Sequence, residues 1–219
     1  MYVVDMETPK NPTSLNHRIR EGLARLAVAM RSDDWSRAKG AGVNPAQLSI
    51  LEALEGGPEG MSVKAIAAYL AVSQPSATDS LNALERKGLI EKRAGSDKRA
   101  VTVFLTDAGR ALLAAPDQAD ARAARQAVDC LAQDEQEALL ISIVKIIRRL
   151  QDIDAIPIQR MCATCRYFAP FAHQDAERPH HCHFVDAAFG QRDIRIECRD
   201  HDTADPASRA ATWEVFAKG

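Results

Sequence analysis

The sequence predicts a mainly α-helical protein with one short β-hairpin and a small metal-stabilised C-terminal module. Three observations carry this. Apolar residues recur at helical spacing in several segments between Leu15 and Leu150. One stretch, Leu89 to Leu105, reads as two strands around a polar tip. Residues 162–201 hold four of the five cysteines and five of the six histidines of the 219-residue chain.

The elements follow in order. Leu15, Ile19, Leu23, Leu26, Ala27 and Met30 give a first helix over 15–31, followed by a linker that Gly40 and Gly42 end. Asn44 caps a second helix with Pro45 at its first position; Leu48, Leu51 and Leu54 face one side, and Gly56-Gly57-Pro58 closes it. Ser62 caps a third helix holding Val63, Ile66, Ala67 and Leu70. Ser73-Gln74-Pro75 starts a fourth, in which Ala77, Leu81 and Leu84 turn inward and Gln74, Ser76, Thr78, Asp79, Asn82 and Arg86 face out. Two short helices across a tight turn form a helix-turn-helix, whose second helix suits a major groove.

Gly88 ends that helix, and the hairpin follows with Leu89 and Ile90 on one strand and Val101, Val103 and Leu105 on the other. Arg86, Lys87, Lys92, Arg93, Lys98 and Arg99 face only Glu91 and Asp97 within 14 positions. Such a cluster neutralises phosphates and makes binding salt-dependent. A charge run alone is more often a solvated face; the preceding helix-turn-helix is what favours nucleic acid. Asp97 beside Arg99 at the tip can fix the arginine's direction by a charge-assisted bond.

Thr106 caps a helix through Leu112 and Leu113, which Pro116 splits from an alanine-rich stretch ending near Val128. From Leu139 to Leu150 apolar residues occupy more than one stripe, so a partner helix is expected, with packing beneath the tail as the alternative. Cys130 reads as a small core side chain.

Three pieces in this order, Leu84-Glu85-Arg86-Lys87-Gly88-Leu89-Ile90-Glu91-Lys92, Ser96-Asp97-Lys98-Arg99 and Leu105-Thr106-Asp107-Ala108-Gly109, resemble the MarR family of bacterial winged helix-turn-helix regulators. The resemblance extends over residues 12–150, includes Pro45-Ala46-Gln47-Leu48, and does not reach the tail. It implies a winged helix-turn-helix domain plus a helical dimerisation region. Ser73, Gln74, Ser76, Ala77, Thr78, Asn82 and Arg86 are then DNA-binding positions of the recognition helix, and Lys98 and Arg99 those of the wing, with Asp97 as wing support. It further implies a homodimer joined by residues 15–31, 107–128 and 134–150, binding double-stranded DNA with an inverted repeat. Family members often admit a small-molecule effector between the dimer helices and the winged domain; no residue here names its chemistry.

Pro157 breaks the chain before a module of residues 158–201, and residues 202–219 follow as a C-terminal tail. Large apolar groups are few between the cysteines, so a metal supplies the missing cohesion, with Tyr167, Phe168, Phe171, Phe184, Val185, Phe189 and Ile196 as a small cluster around it. Cys162 and Cys165 at i and i+3, completed by Cys182 and Cys198, make a four-thiolate zinc shell. The 15-residue gap between Cys182 and Cys198 departs from the usual second close pair. An iron–sulfur cluster, which would make the protein a redox-sensing regulator, is the alternative. His180, His181, His183 and His201 are each a substitute ligand or an ordinary surface histidine. Free thiols, disulfides and a redox pair at Cys162 and Cys165 remain as further readings.

Enzymatic chemistry is not expected. His173 with Asp175, or Asp200 with His201, lacks a nucleophile elbow, and Gly56-Gly57-Pro58-Glu59-Gly60 lacks the lysine of a phosphate loop. A zinc-scaffolded protein-interaction module is the other non-enzymatic reading. Asp5, Glu7 and Lys10 interrupt any secretory start, and Ser142 and Lys145 break the longest apolar run, so a cytoplasmic protein without a membrane span is expected. Reducing surroundings there favour metal over disulfides.

Overall fold

The computed structural model describes residues 14–57, 59–94, 101–115 and 123–219. Helix α1 (Leu15–Gly40) is capped by Ser14, whose hydroxyl accepts from the His17 amide. It runs through the stretch expected as a linker, because residues 32–39 contain neither glycine nor proline. Arg37, in its last turns, pairs with Glu52 at 2.5 Å, and Gly42 takes φ +68° to turn the chain.

Helix α2 (Pro45–Glu55) has a capping box: Asn44 Oδ1 accepts from Gln47 N at 2.8 Å, and the side-chain Gln47 Oε1 accepts from Asn44 N at 3.3 Å. Strand β1 (Met61–Ser62) leads into α3 (Val63–Tyr69), capped by Ser62, and α4 (Gln74–Arg86) follows across the turn, capped by Ser73. Strands β2 (Ile90–Ala94) and β3 (Val101–Leu105) pair antiparallel, Ile90 opposite Leu105, and β1 joins the far side of β3 to give the order β1-β3-β2. β1 was not expected, since two residues show no alternation.

Leu48, Leu51, Leu54, Ile66, Leu81, Leu84, Leu89, Ile90 and Val103 are buried together as one core. Helix α5 (Asp107–Ala114), capped by Thr106, lies so close to the strand that a Cβ on Gly109 would stand 2.2 Å from the Leu89 carbonyl oxygen. Only glycine permits that approach.

Helices α6 (Ala123–Asp129) and α7 (Gln133–Asp152) come next. Cys130 is exposed rather than in the core, its thiol donating to the Ala127 carbonyl just past the end of α6. The tail forms a second antiparallel sheet, β4 (Phe168–Ala169), β5 (His180–Cys182) and β6 (Ala187–Phe189), in that order. Helix α8 (Pro206–Phe216) then closes a second core with Val144, Met161, Ala163, Phe168 and Ile194. Sequence reading left α8 unrecognised.

Leu140, Ile141 and Ile147 of α7 pack with Val144 against the tail, while Leu139 and Ile146 stay exposed. Along α1, Leu15, Ile19, Leu23, Leu26 and Met30 are each about half exposed or more. Among the described residues, no helix is long and apolar enough to cross a membrane.

Candidate nucleic-acid interface and thiol cavity

The helix-turn-helix fixes which side chains of α4 reach solvent. Gln74, Ser76, Thr78, Asn82 and Arg86 are exposed, whereas Leu81 and Leu84 are fully buried. Ala77 is buried at 1% exposure, so it is a core contact and not a groove-facing residue; its place one position after Ser76 turns it inward on a 3.6-residue period. Ser73 serves as the cap, accepting from the Ser76 amide at 3.3 Å, and the Thr78 hydroxyl donates to the Gln74 carbonyl at 2.8 Å.

The hairpin is tied to this helix. Lys92 of β2 donates to Asn82 Oδ1 at 2.6 Å and pairs with Glu85 at 2.8 Å. Arg93 lies 4.5 Å over the Phe104 ring and pairs with Glu91. Lys87 donates to the Gly42 carbonyl and to Gln47, so this expected phosphate contact is engaged in holding α4 to the α1–α2 turn. Asp97, Lys98 and Arg99 lie outside the described residues.

In the tail, three separate segments bring Cys162 with Cys165, Cys182 and Cys198 to the wall of one cavity of about 320 Å³. Cys162 opens a 3₁₀ turn, Cys162–Thr164, and its amide donates to the Arg195 carbonyl at 3.0 Å. The Cys165 amide closes that turn on the Cys162 carbonyl at 2.9 Å. Cys182 is held opposite Phe168 in the sheet, and the Cys198 amide donates to the Arg160 carbonyl at 2.8 Å. All four thiols are free cysteines.

Burial pushes the Cys162 thiol up to about 11; the Arg195 amide opposes this, and repulsion from Cys198, Cys165 and Cys182 adds to it. Arg195 also reaches the site directly, its amide donating to Cys162 Sγ at 3.3 Å and its guanidinium to Cys198 Sγ at 3.7 Å. Among the described residues, no three Cys, His, Asp or Glu side chains converge closely enough to hold a single ion. The cysteines surround a space instead.

No histidine lines that space. His180 is wholly buried among Phe168, Phe171, Phe189 and Phe216, and its Nδ1 accepts from the Phe171 amide at 3.2 Å. Desolvation lowers its pKa, and it lies in the second core rather than on the wall of the thiol cavity. His201 contacts the Thr164 hydroxyl at 3.0 Å, and its pKa too is lowered by burial. His181 stands between His173 and Asp186, beside the His183 ring. Of the expected apolar cluster, Phe168, Phe171, Phe189 and Ile196 belong to the second core, while Tyr167, Phe184 and Val185 border the cavity. Arg160 and Arg195 were missed by sequence reading, since a lone arginine carries no spacing signal.

The MarR family model matches residues 41–100. No curated protein matches the chain. Among solved structures, the MepR–DNA complex of S. aureus is 22% identical with a TM-score of 0.52, covering 64% of this chain and all of that one. A MarR transcriptional regulator from Methanosarcina mazei is 15% identical, TM-score 0.56, covering 63% of this chain and 99% of that one. FabT of Streptococcus pneumoniae in complex with DNA is 21% identical, TM-score 0.54, with coverage of 63% and 99%. At these identities the likeness is one of fold. Over residues 41–100 the chain is similar to the MarR family, and its three-stranded sheet and helix order are those of a winged-helix fold, followed by a cysteine-rich C-terminal segment.

Proposed function

We propose that the protein is a transcriptional regulator that binds double-stranded DNA sequence-specifically, as a homodimer over an inverted repeat. The observation that carries this is the polar row Gln74, Ser76, Thr78, Asn82 and Arg86, presented on α4 by a fully packed helix-turn-helix and braced by Lys92 of the hairpin. Small polar groups near the start of such a helix reach base edges in a major groove. The solved structures of similar fold that hold DNA, MepR and FabT, support the same use. The uncovered apolar row of α1 supports the dimer, because Leu15, Ile19, Leu23, Leu26 and Met30 lie on one side of a long helix and gain by burial against a second copy.

Two copies of α4 would then enter successive grooves about 34 Å apart. The tail's four thiols form a metal centre that folds residues 158–201 against α7 and acts on DNA indirectly. No catalytic role is assigned to any residue.

The test is DNA affinity as a function of salt. Reversing the charge of both Lys98 and Arg99 should weaken binding across sequences and flatten the salt slope, whereas Ser76→Ala or Thr78→Ala should chiefly alter sequence preference. Unchanged affinity and slope in the double reversal would remove the wing from the interface.

A further inference from the structure

We propose that Cys162, Cys165, Cys182 and Cys198 hold an iron–sulfur cluster of the four-iron, four-sulfide type rather than a zinc ion. This deepens the reading of the tail as a metal centre and is independent of DNA binding.

The cavity decides between the two groups. A structural zinc is closed by its own ligands: zinc–sulfur bonds of about 2.3 Å in a tetrahedron draw four sulfurs onto one point and leave no space among them. Here three segments bring the four thiols to the wall of a cavity of about 320 Å³, and among the described residues no three such side chains converge on a single ion. A cubane cluster has four iron corners, each taking one thiolate, and it requires cysteines spaced around a volume.

The walls fit the same group. Tyr167, Phe168, Phe184, Val185 and Phe189 give the cavity an apolar lining, which limits the solvent that degrades such clusters and sets their potential. The donors are aimed at sulfur: the Arg195 amide at Cys162 and its guanidinium at Cys198. Four thiolates around a cluster leave it net anionic, and hydrogen bonds to the sulfurs with a cation at the rim stabilise that charge. Arg195 supplies both. Four cysteines and no histidine line the cavity, alongside Asp193 and Asp200, and cysteine thiolates are the ligands that both [2Fe–2S] and [4Fe–4S] clusters use. The volume that the four cysteines border favours the four-iron form.

The experiment is metal and sulfide analysis of full-length protein purified anaerobically and reconstituted with ferrous iron and sulfide. The expected result is about four iron and four acid-labile sulfides per chain, with a brown colour and broad visible absorption that dithionite bleaches. Cys182→Ser should lose most of that absorption, and Cys130→Ser, outside the cavity, should keep it. One colourless zinc per chain that iron and sulfide do not replace would overturn the proposal, as would reconstituted wild-type protein with no bound iron. Two irons with two sulfides would overturn the four-iron assignment. These outcomes are read on wild-type protein, so they stand even where Cys182→Ser fails to fold. Salt-dependent DNA binding by protein that holds only zinc would overturn the cluster and leave the regulator reading intact.

Discussion

Arg160 and Ala53 are 107 positions apart, yet the Arg160 guanidinium donates to the Ala53 carbonyl at 3.1 Å. It lies where a side chain on Gly56 would begin, 2.3 Å from that Cβ position. The same arginine pairs with Glu197 at 2.5 Å, and its carbonyl accepts from the Cys198 amide. Arg199 adds a second tie to Glu55 at 3.0 Å. The end of α2 is therefore bound to the loop that carries one of the four thiols.

Removing this clamp should separate the two cores. Arg160→Ala leaves Glu197 half-buried without its cation and the Ala53 carbonyl without its donor, at a cost of about 1–3 kcal/mol. Gly56→Ala should act in the same direction, by displacing the guanidinium. Urea unfolding checks both; identical midpoints for wild type and Arg160→Ala would show that the contact holds nothing together.

Gly109 makes a second prediction. A methyl group there meets the Leu89 carbonyl, which is backbone and cannot swing aside, so α5 must move off β2. Gly109→Ala should destabilise the winged domain by about 1–3 kcal/mol despite alanine's better helix propensity. Thermal unfolding reads the sign directly: a raised Tm would mean that α5 shifts freely.

The cap of α8 predicts a pH dependence. The Ser208 side chain and amide and the Ala207 amide all bond the Asp205 carboxylate and hold its pKa below the ordinary 3.8. A carboxyl with a lower pKa folded than unfolded contributes stability that is complete above the unfolded value and lost as pH falls through the folded one. Asp205→Asn keeps an N-cap but has no carboxyl to titrate. Acid titration followed by protease sensitivity of the tail should lose its component below pH 3.8 in this variant; an unchanged acid profile would assign that component elsewhere.

The helices, the wing and the thiol cluster were legible because each rests on a repeating signal. Caps at Asn44, Ser62, Ser73 and Thr106 mark helix starts, and Leu81 and Leu84 mark an inward face. What escaped depends on contacts between distant segments. Met61–Ser62 becomes a strand only because β3 lies beside it. The inward turn of His180 is set by four phenylalanines from elsewhere in the tail. Ala77 illustrates a conflict within the sequence reading: its own periodicity turned it inward, and the family resemblance turned it outward. The packing followed the periodicity. The size of the thiol cavity had no sequence signature, because the spacing of cysteines along a chain does not fix their separation in space.

The two cores also differ in when they can form. The first uses residues from Ala38 to Leu113 and the second uses residues from Leu140 to Phe216, with no shared member. A chain emerging from the ribosome can complete the helix-turn-helix and its sheet before Cys162 has been synthesised. Because α8 follows the thiols in the chain, the second core matures on a polypeptide whose first core is already folded.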